Sequence, residues 1–223
     1  KQALAQYGIV VGSHILQIND IKEERFNPMG VSDAELAELH AKKFAVMDDA
    51  VGEKMQERIL QAKSELNSVG GVIEAIALHL PAGIGAPYFD SVESMLSHAL
   101  FSVPAVKGIE FGDGFGFAGM TGAEANDALH YVDGKVQTLT NHNGGVTGGI
   151  TNGMPLVVRV AIKPTPSIAR EQQTVSLKEQ ADTTLAIVGR HDPCIVQRAV
   201  PVIESVVAWT LWDLLLEAKK WEK

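Results

Sequence analysis

The sequence has few of the features that mark several common protein classes. Cysteine occurs once in 223 residues, at Cys194, which excludes an intrachain disulfide and fits a reducing compartment. No uninterrupted run of 18 apolar residues is present, because Glu204 and Asp213 divide the most apolar stretch, and no signal peptide is recognisable. We therefore expect a cytoplasmic protein with no membrane partner.

Positive charge is also scarce. The chain has 19 Lys and Arg against 27 Asp and Glu, a net charge of −8, which argues against a nucleic-acid partner. Residues 159–198 differ, with six bases against four acids. No glycine run ends in Lys-Ser or Lys-Thr, so the phosphate loop of nucleotide hydrolases is absent. The local positive charge instead indicates a small anionic ligand.

The strongest site candidate is the segment Gly189–Cys194, Gly-Arg-His-Asp-Pro-Cys. Three adjacent ionisable side chains in a turn bounded by Gly and Pro cannot all face solvent in the same way, so one is expected in a cleft. The alternative is a surface pair of Arg190 and Asp192, with Asp192 capping the next helix and Pro193 in its first turn. Cys194 is interpreted as a small buried thiol rather than a nucleophile.

Two upstream segments fit an anion pocket. Lys163–Ser167 supplies a cation and two hydroxyls on a proline-stiffened backbone, and Gly144–Gly153 has five glycines that permit close approach to a ligand. A third segment, Gly114–Gly119, matches the dinucleotide pattern GxGxxG. The predicted helix after it, Glu124–Tyr131, is only about two turns long and Asp133-Gly134 predicts a hairpin, so a Rossmann-type NAD oxidoreductase is the weaker alternative.

These segments resemble the chorismate synthase family. The resemblance extends over residues 68–216 and rests on six ordered motifs. They are Gly70-Gly71-Val72 with Glu74, Pro81–Asp90, Ala105–Gly108 followed by Gly112–Phe115, Asn143–Ile150, Lys163–Ser167, and Gly189–Glu204.

The resemblance implies an α/β fold of α+β type, with helices sandwiched between antiparallel sheets. It implies a carbon–oxygen lyase that converts 5-enolpyruvylshikimate 3-phosphate to chorismate and phosphate by an anti-1,4-elimination with reduced FMN. NADPH is the reductant in some members, and the family assembles as a homotetramer. No metal site is expected.

The resemblance also implies site residues. The FMN-binding positions it assigns are Pro104, Ala105, Gly148, Lys163, Pro164, Thr165, Pro166, Ser167 and Arg190. Some members have Asn where this chain has Pro104, which offers a ligand only its carbonyl or its van der Waals surface. Asp192 is expected to handle protons near the flavin, and His191 to act as acid, base or packed imidazole.

Two further signature regions of the family have no counterpart in this sequence. One contains a Gly-Glu-Ser-His-Gly type motif and the other is an Arg- and Ser-containing helix. We therefore expect residues 1–223 to form a single, N-terminally truncated chorismate synthase domain. The alternative function is an inactive folded fragment that retains only FMN binding or assembly.

The hydrophobic pattern predicts the remaining elements. Helices are predicted from Ser32 with a Ser32–Glu35 capping box, over 47–66, over 90–101 and from Pro201 to Lys219. Strands are predicted over 7–19, 70–80, 104–112, 136–141, 154–162, 174–177 and 184–188. On the last helix, buried positions are expected at Val202, Val206, Leu211, Leu214 and Leu215.

Overall fold

The computed structural model describes residues 1–219, which are organised around one five-stranded antiparallel sheet. Its strands lie in the order β2-β1-β3-β9-β4, with three separate two-stranded hairpins beside them. The sheet strands are β1 Val10–Ile18, β2 Ile21–Lys22, β3 Gly71–Leu78, β4 Val106–Phe111 and β9 Leu156–Ile162. The hairpins pair β5 Leu129–Val132 with β6 Lys135–Thr138, β7 Val146–Thr147 with β8 Ile150–Thr151, and β10 Gln172–Ser176 with β11 Ala181–Leu185.

Five α-helices complete the described fold. They are α1 Gln2–Ala5, α2 Asp33–Ala41, α3 Asp49–Ser64, α4 Val92–Phe101 and α5 Val196–Lys219. Short 3₁₀ helices lie at Tyr88–Asp90 and Gly114–Gly119. The mixture of helices with an antiparallel sheet confirms the α+β prediction.

Local capping explains where the helices begin. Ser32 and Glu35 form the predicted capping box, in which the Ser32 hydroxyl accepts from Glu35 N at 3.2 Å and Glu35 accepts from Ser32 N at 2.7 Å. Asp48 accepts from the first turn of α3, and Ser91 accepts from Ser94 N at the start of α4. Side chains adjacent in sequence therefore fix these boundaries.

The two faces of the sheet are covered differently. On the inner face, alternate residues of β9 such as Val158 and Val160 pack into the main core with α4 and α5. On the outer face, Val157 joins Ile76 and Leu78 in a smaller cluster under Leu36 and Leu39 of α2. Phe26, in the segment that follows β2, covers the next part of this face by packing with Val157 and against His14, and Val72, Gly108 and Ala161 stay partly exposed beyond it.

The C-terminal helix departs from its prediction at the first turns. It begins at Val196, because the Ile195 carbonyl already accepts from Arg198 N and Ala199 N, and Pro201 lies inside it. Val202 is 45% exposed, so its predicted burial is wrong, whereas Leu211 is confirmed in the core. The buried face of the helix instead includes Val200, Ile203, Glu204 and Val207, so Val202 lies off it.

Within residues 1–219, α5 is the helix long and apolar enough to cross a membrane by length and composition alone. Half of its most apolar stretch is buried inside the fold, against the sheet and α4. This burial is typical of the core helix of a folded domain.

The predicted helix Glu124–Tyr131 is wrong, and the Rossmann alternative with it. Thr121 and Glu124 make capping contacts, but the turn ends after the bond from Ala125 N to Thr121 O and the chain enters the β5–β6 hairpin. Gly114–Gly119 forms a 3₁₀ helix, and every strand pairing in the described residues is antiparallel. A dinucleotide fold needs a long helix followed by a parallel strand.

Candidate functional site

The end of β9 brings two predicted ligand segments together. Ile162, its last residue, pairs with Gly71 of β3 on one side and with Val106 of β4 on the other. Lys163 N then donates to the Ala105 carbonyl at 2.9 Å. The segment 163–167 therefore leaves the sheet beside 104–105.

Residues 68–70 connect this place to the Gly189–Cys194 segment. The Ser68 hydroxyl donates to the Thr165 carbonyl at 2.6 Å, and Val69 N donates to the Pro193 carbonyl at 2.8 Å. Gly70 permits the approach, since a Cβ there would lie 2.3 Å from the Ile162 carbonyl oxygen. We call residues 104–105, 163–167 and 189–194 the sheet-end cluster.

The sheet-end cluster combines exposed cations with one unsatisfied hydroxyl. Lys163 and Arg190 are exposed, whereas Thr165 Oγ1 is buried and has no hydrogen-bond partner within residues 1–219. Buried hydroxyls normally find a partner, because leaving one without a bond costs roughly 1–3 kcal/mol. The donor set and the unpaired hydroxyl therefore fit an anionic group, such as the phosphate of FMN.

His191 and Asp192 each have one clear neighbour. His191 Nε2 donates to the Ile187 carbonyl at 2.9 Å, which leaves Nδ1 as the acceptor in the neutral ring. The Asp192 carboxylate contacts the Arg198 guanidinium in the first turns of α5. The alternative in which Asp192 pairs with Arg190 is therefore wrong, and because α5 begins at Val196, Pro193 does not lie in its first turn.

Cys194 behaves as an ordinary packed thiol. It lies half-buried against the main core. Burial raises the pKa of the thiol, the hydrogen bond from the Val196 N–H opposes this with a smaller effect, and the charge of Asp192 adds a still smaller rise. A raised pKa keeps the thiol protonated and a poor nucleophile, as the sequence interpretation expected.

Gly148 does not join the sheet-end cluster. It turns the β7–β8 hairpin with φ +63°, and the adjacent Gly149 carbonyl accepts from Val92 N at 3.0 Å. This hairpin precedes the start of β9, whereas Lys163 follows its end, and a seven-residue strand spans roughly 20 Å. A ligand that contacts both would have to be about as long as the strand.

Sequence reasoning missed a buried ion network that crosses the sheet. We define it as His14, Glu23, Glu74, Arg159 and Glu110. His14 lies between two carboxylates, contacting Glu23 through Nδ1 and Glu74 through Nε2, the latter at 3.1 Å. Arg159 bonds Glu74 at 3.3 Å, Glu110 at 3.1 Å and the Gly112 carbonyl.

The network favours the charged forms of His14 and Glu74. Burial alone would lower the pKa of His14, but hydrogen bonds to Glu23 and Glu74 and their negative charges outweigh it and raise the pKa. Burial alone would raise the pKa of Glu74, but bonds from His14 and from Phe26 N, with the charges of His14 and Arg159, outweigh it and lower the pKa. Because both ring nitrogens face carboxylate oxygens, the doubly protonated ring is the form that satisfies both contacts.

Comparison with known proteins decides the family. A family model described as chorismate synthase matches residues 1–216. The chain belongs to the chorismate synthase family. It is 45% identical over 223 residues to the chorismate synthase of Thermococcus gammatolerans and 44% identical over 222 residues to that of Thermococcus kodakarensis. Both matches cover all of this chain and 60% of the relative.

The fold comparison agrees. A crystal structure of a chorismate synthase superposes with a TM-score of 0.77 at 28% identity, covering 96% of this chain and 59% of the other. The resemblance drawn from the six motifs and the α+β fold are both confirmed. The chain spans about 60% of the length of the chorismate synthases it matches. The assignment of individual ligand residues stays a prediction.

Proposed function

We propose that this chain is part of an enzyme that converts 5-enolpyruvylshikimate 3-phosphate to chorismate and phosphate with reduced FMN. Membership of the chorismate synthase family supports the reaction. The observation that carries the proposal is the convergence of Ala105, Lys163, Thr165 and Pro193 at one end of the sheet. A linear motif match would not require this convergence.

The sheet-end cluster supplies the groups that an anionic cofactor needs. Lys163 and Arg190 provide positive charge, and the Thr165 and Ser167 hydroxyls provide neutral donors. Pro164 and Pro166 stiffen the segment, so little entropy is lost when it closes on a ligand. Pro104 and Ala105 lie beside this segment, with the Ala105 carbonyl accepting from Lys163 N, and offer backbone and apolar surface. Gly148, which the family resemblance also assigns to FMN, lies on the β7–β8 hairpin at the other end of β9, so only a ligand about as long as that strand would contact it as well.

Proton handling is assigned to the Gly189–Cys194 turn. FMN, when bound in reduced form, supplies the electron-rich ring that assists departure of the substrate phosphate. Asp192, held by Arg198, is the residue positioned to accept a proton at a carboxylate oxygen. His191 is fixed by its bond to the Ile187 carbonyl, which leaves Nδ1 available as a base.

The wider proposal follows the family. The protein acts in the cytoplasm as a homotetramer on a phosphorylated small molecule, with residues 1–223 as one domain and with NADPH as a reductant of the flavin. The second candidate is a folded fragment that binds FMN or assembles without turnover. The chain spans about 60% of its relatives' length, so turnover has to be measured on residues 1–223 themselves.

FMN binding to the 223-residue chain tests the cofactor site. We expect FMN fluorescence to be quenched on binding, and Lys163→Ala, Arg190→Ala and Thr165→Val each to weaken the affinity by about tenfold, the equivalent of 1.4 kcal/mol. Lys178→Ala, another exposed lysine on the β10–β11 turn, is the matched control and should bind as the parent does.

Turnover then separates the two candidates. Phosphate release from 5-enolpyruvylshikimate 3-phosphate with reduced FMN supports the enzyme, and FMN binding without phosphate release supports the fragment. Loss of FMN affinity in Lys178→Ala equal to that in Lys163→Ala would contradict the assignment of the pocket. So would a folded chain that fails to bind FMN at all.

A further inference from the structure

The open part of the outer sheet face contains a cavity of about 380 Å³. Its floor is formed by Val72, Gly108 and Ala161 of three neighbouring strands, where α2 does not reach. Lys22, Arg25 and Phe115 stand around it. A cavity of this size fits a small ligand and lies at the lower end of the range for ligand pockets.

One wall of the cavity is a fixed set of charges. Arg159 lines the cavity although it is 5% exposed, and the ion network holds it in place. Apolar residues of similar volume often stabilise a fold as well as a buried ion network does. Preformed charges beside a cavity are instead typical of ligand sites.

Charge accounting indicates an anionic ligand. The Glu23 carboxylate is occupied by His14 and by the N–H groups of Met47 and Asp48, and Arg159 is occupied by its own carboxylates. Lys22 has no ion-pair partner within residues 1–219, and Arg25 has only Asp113 at 3.7 Å. Lys22 is thus free to receive a negative group and Arg25 is held only by that long contact, whereas the acids that line the cavity, Glu23 and Glu110, are already paired with His14 and Arg159.

The apolar part of the cavity indicates a ring. Phe115 is 83% exposed at the rim, where its ring is accessible to a ligand, and the floor is apolar. Gly108 leaves the floor open, since an added Cβ would meet only Ala161 Cβ, at 3.5 Å.

We propose that this cavity binds a small anionic ring compound, with its carboxylate or phosphate between Lys22 and Arg25 and its ring against Phe115 and the floor. The site is separate from the sheet-end cluster, and nothing in it depends on the proposed reaction.

NMR titration of the ¹⁵N-labelled 223-residue chain tests the site with three probes: benzoate, phenyl phosphate and the neutral benzyl alcohol. We expect saturable shifts of the Gly108 and Phe115 amides with one or both anions, and about tenfold weaker binding of benzyl alcohol. The stronger of the two anions identifies the source as a carboxylate or a phosphate.

Variants distinguish the cavity from general surface binding. Gly108→Val fills the floor and should abolish the shifts, whereas Gly122→Val, where an added Cβ meets nothing within 4 Å, should leave them unchanged. Lys22→Gln and Arg25→Gln should each weaken anion binding about tenfold, which keeps the test informative if Gly108→Val does not fold.

Three results would overturn the proposal. The first is the absence of saturable shifts at the cavity. The second is equal binding of benzyl alcohol and the anions, or binding insensitive to Lys22→Gln and Arg25→Gln. The third is displacement of benzoate by FMN, which would make the cavity part of the flavin site.

Discussion

Replacement of Arg159 by methionine tests whether the ion network stabilises the fold. Methionine keeps much of the volume but removes the charge that faces Glu74, a fully buried carboxylate. Glu74 would keep His14 and Phe26 N as partners, while the Gly112 carbonyl would lose its donor. The stranded charge should therefore destabilise the protein.

The magnitude follows from breaking a buried pair. Removing one partner of a buried ion pair lowers the unfolding free energy by about 3–5 kcal/mol. Because Glu74 keeps two other partners, we expect a loss at the lower end, about 3 kcal/mol. For a chain of this length, about 1 kcal/mol shifts the melting temperature by roughly 2–4 °C, so Arg159→Met should melt about 6–12 °C lower. Calorimetry or circular dichroism at pH 6 measures the shift.

The matched control is Arg198→Met, which removes the same guanidinium from an exposed pair with Asp192. Exposed pairs contribute about 0–1 kcal/mol, so this variant should melt within about 4 °C of the parent. Adding Glu74→Gln to Arg159→Met removes the stranded charge and should recover part of the loss. Equal melting of Arg159→Met and Arg198→Met would refute the reasoning.

Two further predictions concern pH and backbone space. Folding raises the pKa of His14 and lowers the pKa of Glu74, so the network should stabilise the fold most between about pH 4.5 and 6.5. The stabilisation should weaken as the pH rises through the folded-state pKa of His14, and also as the pH falls through the folded-state pKa of Glu74. Urea unfolding should show a lower unfolding free energy at pH 9 than at pH 6 for the parent, but not for His14→Gln. The same decline in both proteins would contradict the assignment of this pH dependence to His14. Gly112 has φ +53°, and Gly112→Ala would place a Cβ 1.9 Å from the His142 carbonyl oxygen, so this variant should lose at least about 3 kcal/mol of unfolding free energy in the same assay. Gly122→Ala is the control, since an added Cβ there meets nothing within 4 Å, and its unfolding free energy should stay within about 1 kcal/mol of the parent. Similar losses in the two variants would contradict the clash at Gly112.

Local sequence signals predicted the elements whose boundaries depend on near neighbours. Ser32 with Glu35 starts α2, and Asp133-Gly134 turns the β5–β6 hairpin, because these residues act on the backbone within a few positions. The prediction failed at Glu124–Tyr131, where the same kind of cap forms a single turn that pairing of β5 with β6 then ends.

The ion network could not be predicted in the same way. Glu74, His14 and Arg159 meet only because β1, β3 and β9 pair in one register, with His14 and Arg159 both opposite Glu74. A single residue of slip would move each side chain to the other face. The available signal was a charged residue inside an otherwise apolar strand, such as Glu74 in Gly71–Leu78 or Arg159 in Leu156–Ile162.

The candidate site was predictable in composition but only partly in geometry. The motifs named the segments around Ala105, Lys163 and Arg190, and the contacts of Ser68 and Val69 join these segments. The Gly148-Gly149 pair is a local signal for the β7–β8 turn, but the packing of that hairpin, where the Gly149 carbonyl accepts from Val92 N, depends on residues distant in sequence.

The place of β9 in the sheet has a consequence for the order of folding. β3 and β4 have no pairing with each other, and β9 enters between them after the long excursion of residues 112–155. During synthesis, β4 has no strand partner until residue 162 has left the ribosome. Until then, β4 and the edge of β3 that later pairs with β9 have unpaired backbone groups. Closing such distant pairings is slow, and a chain stopped before residue 156 should aggregate rather than fold.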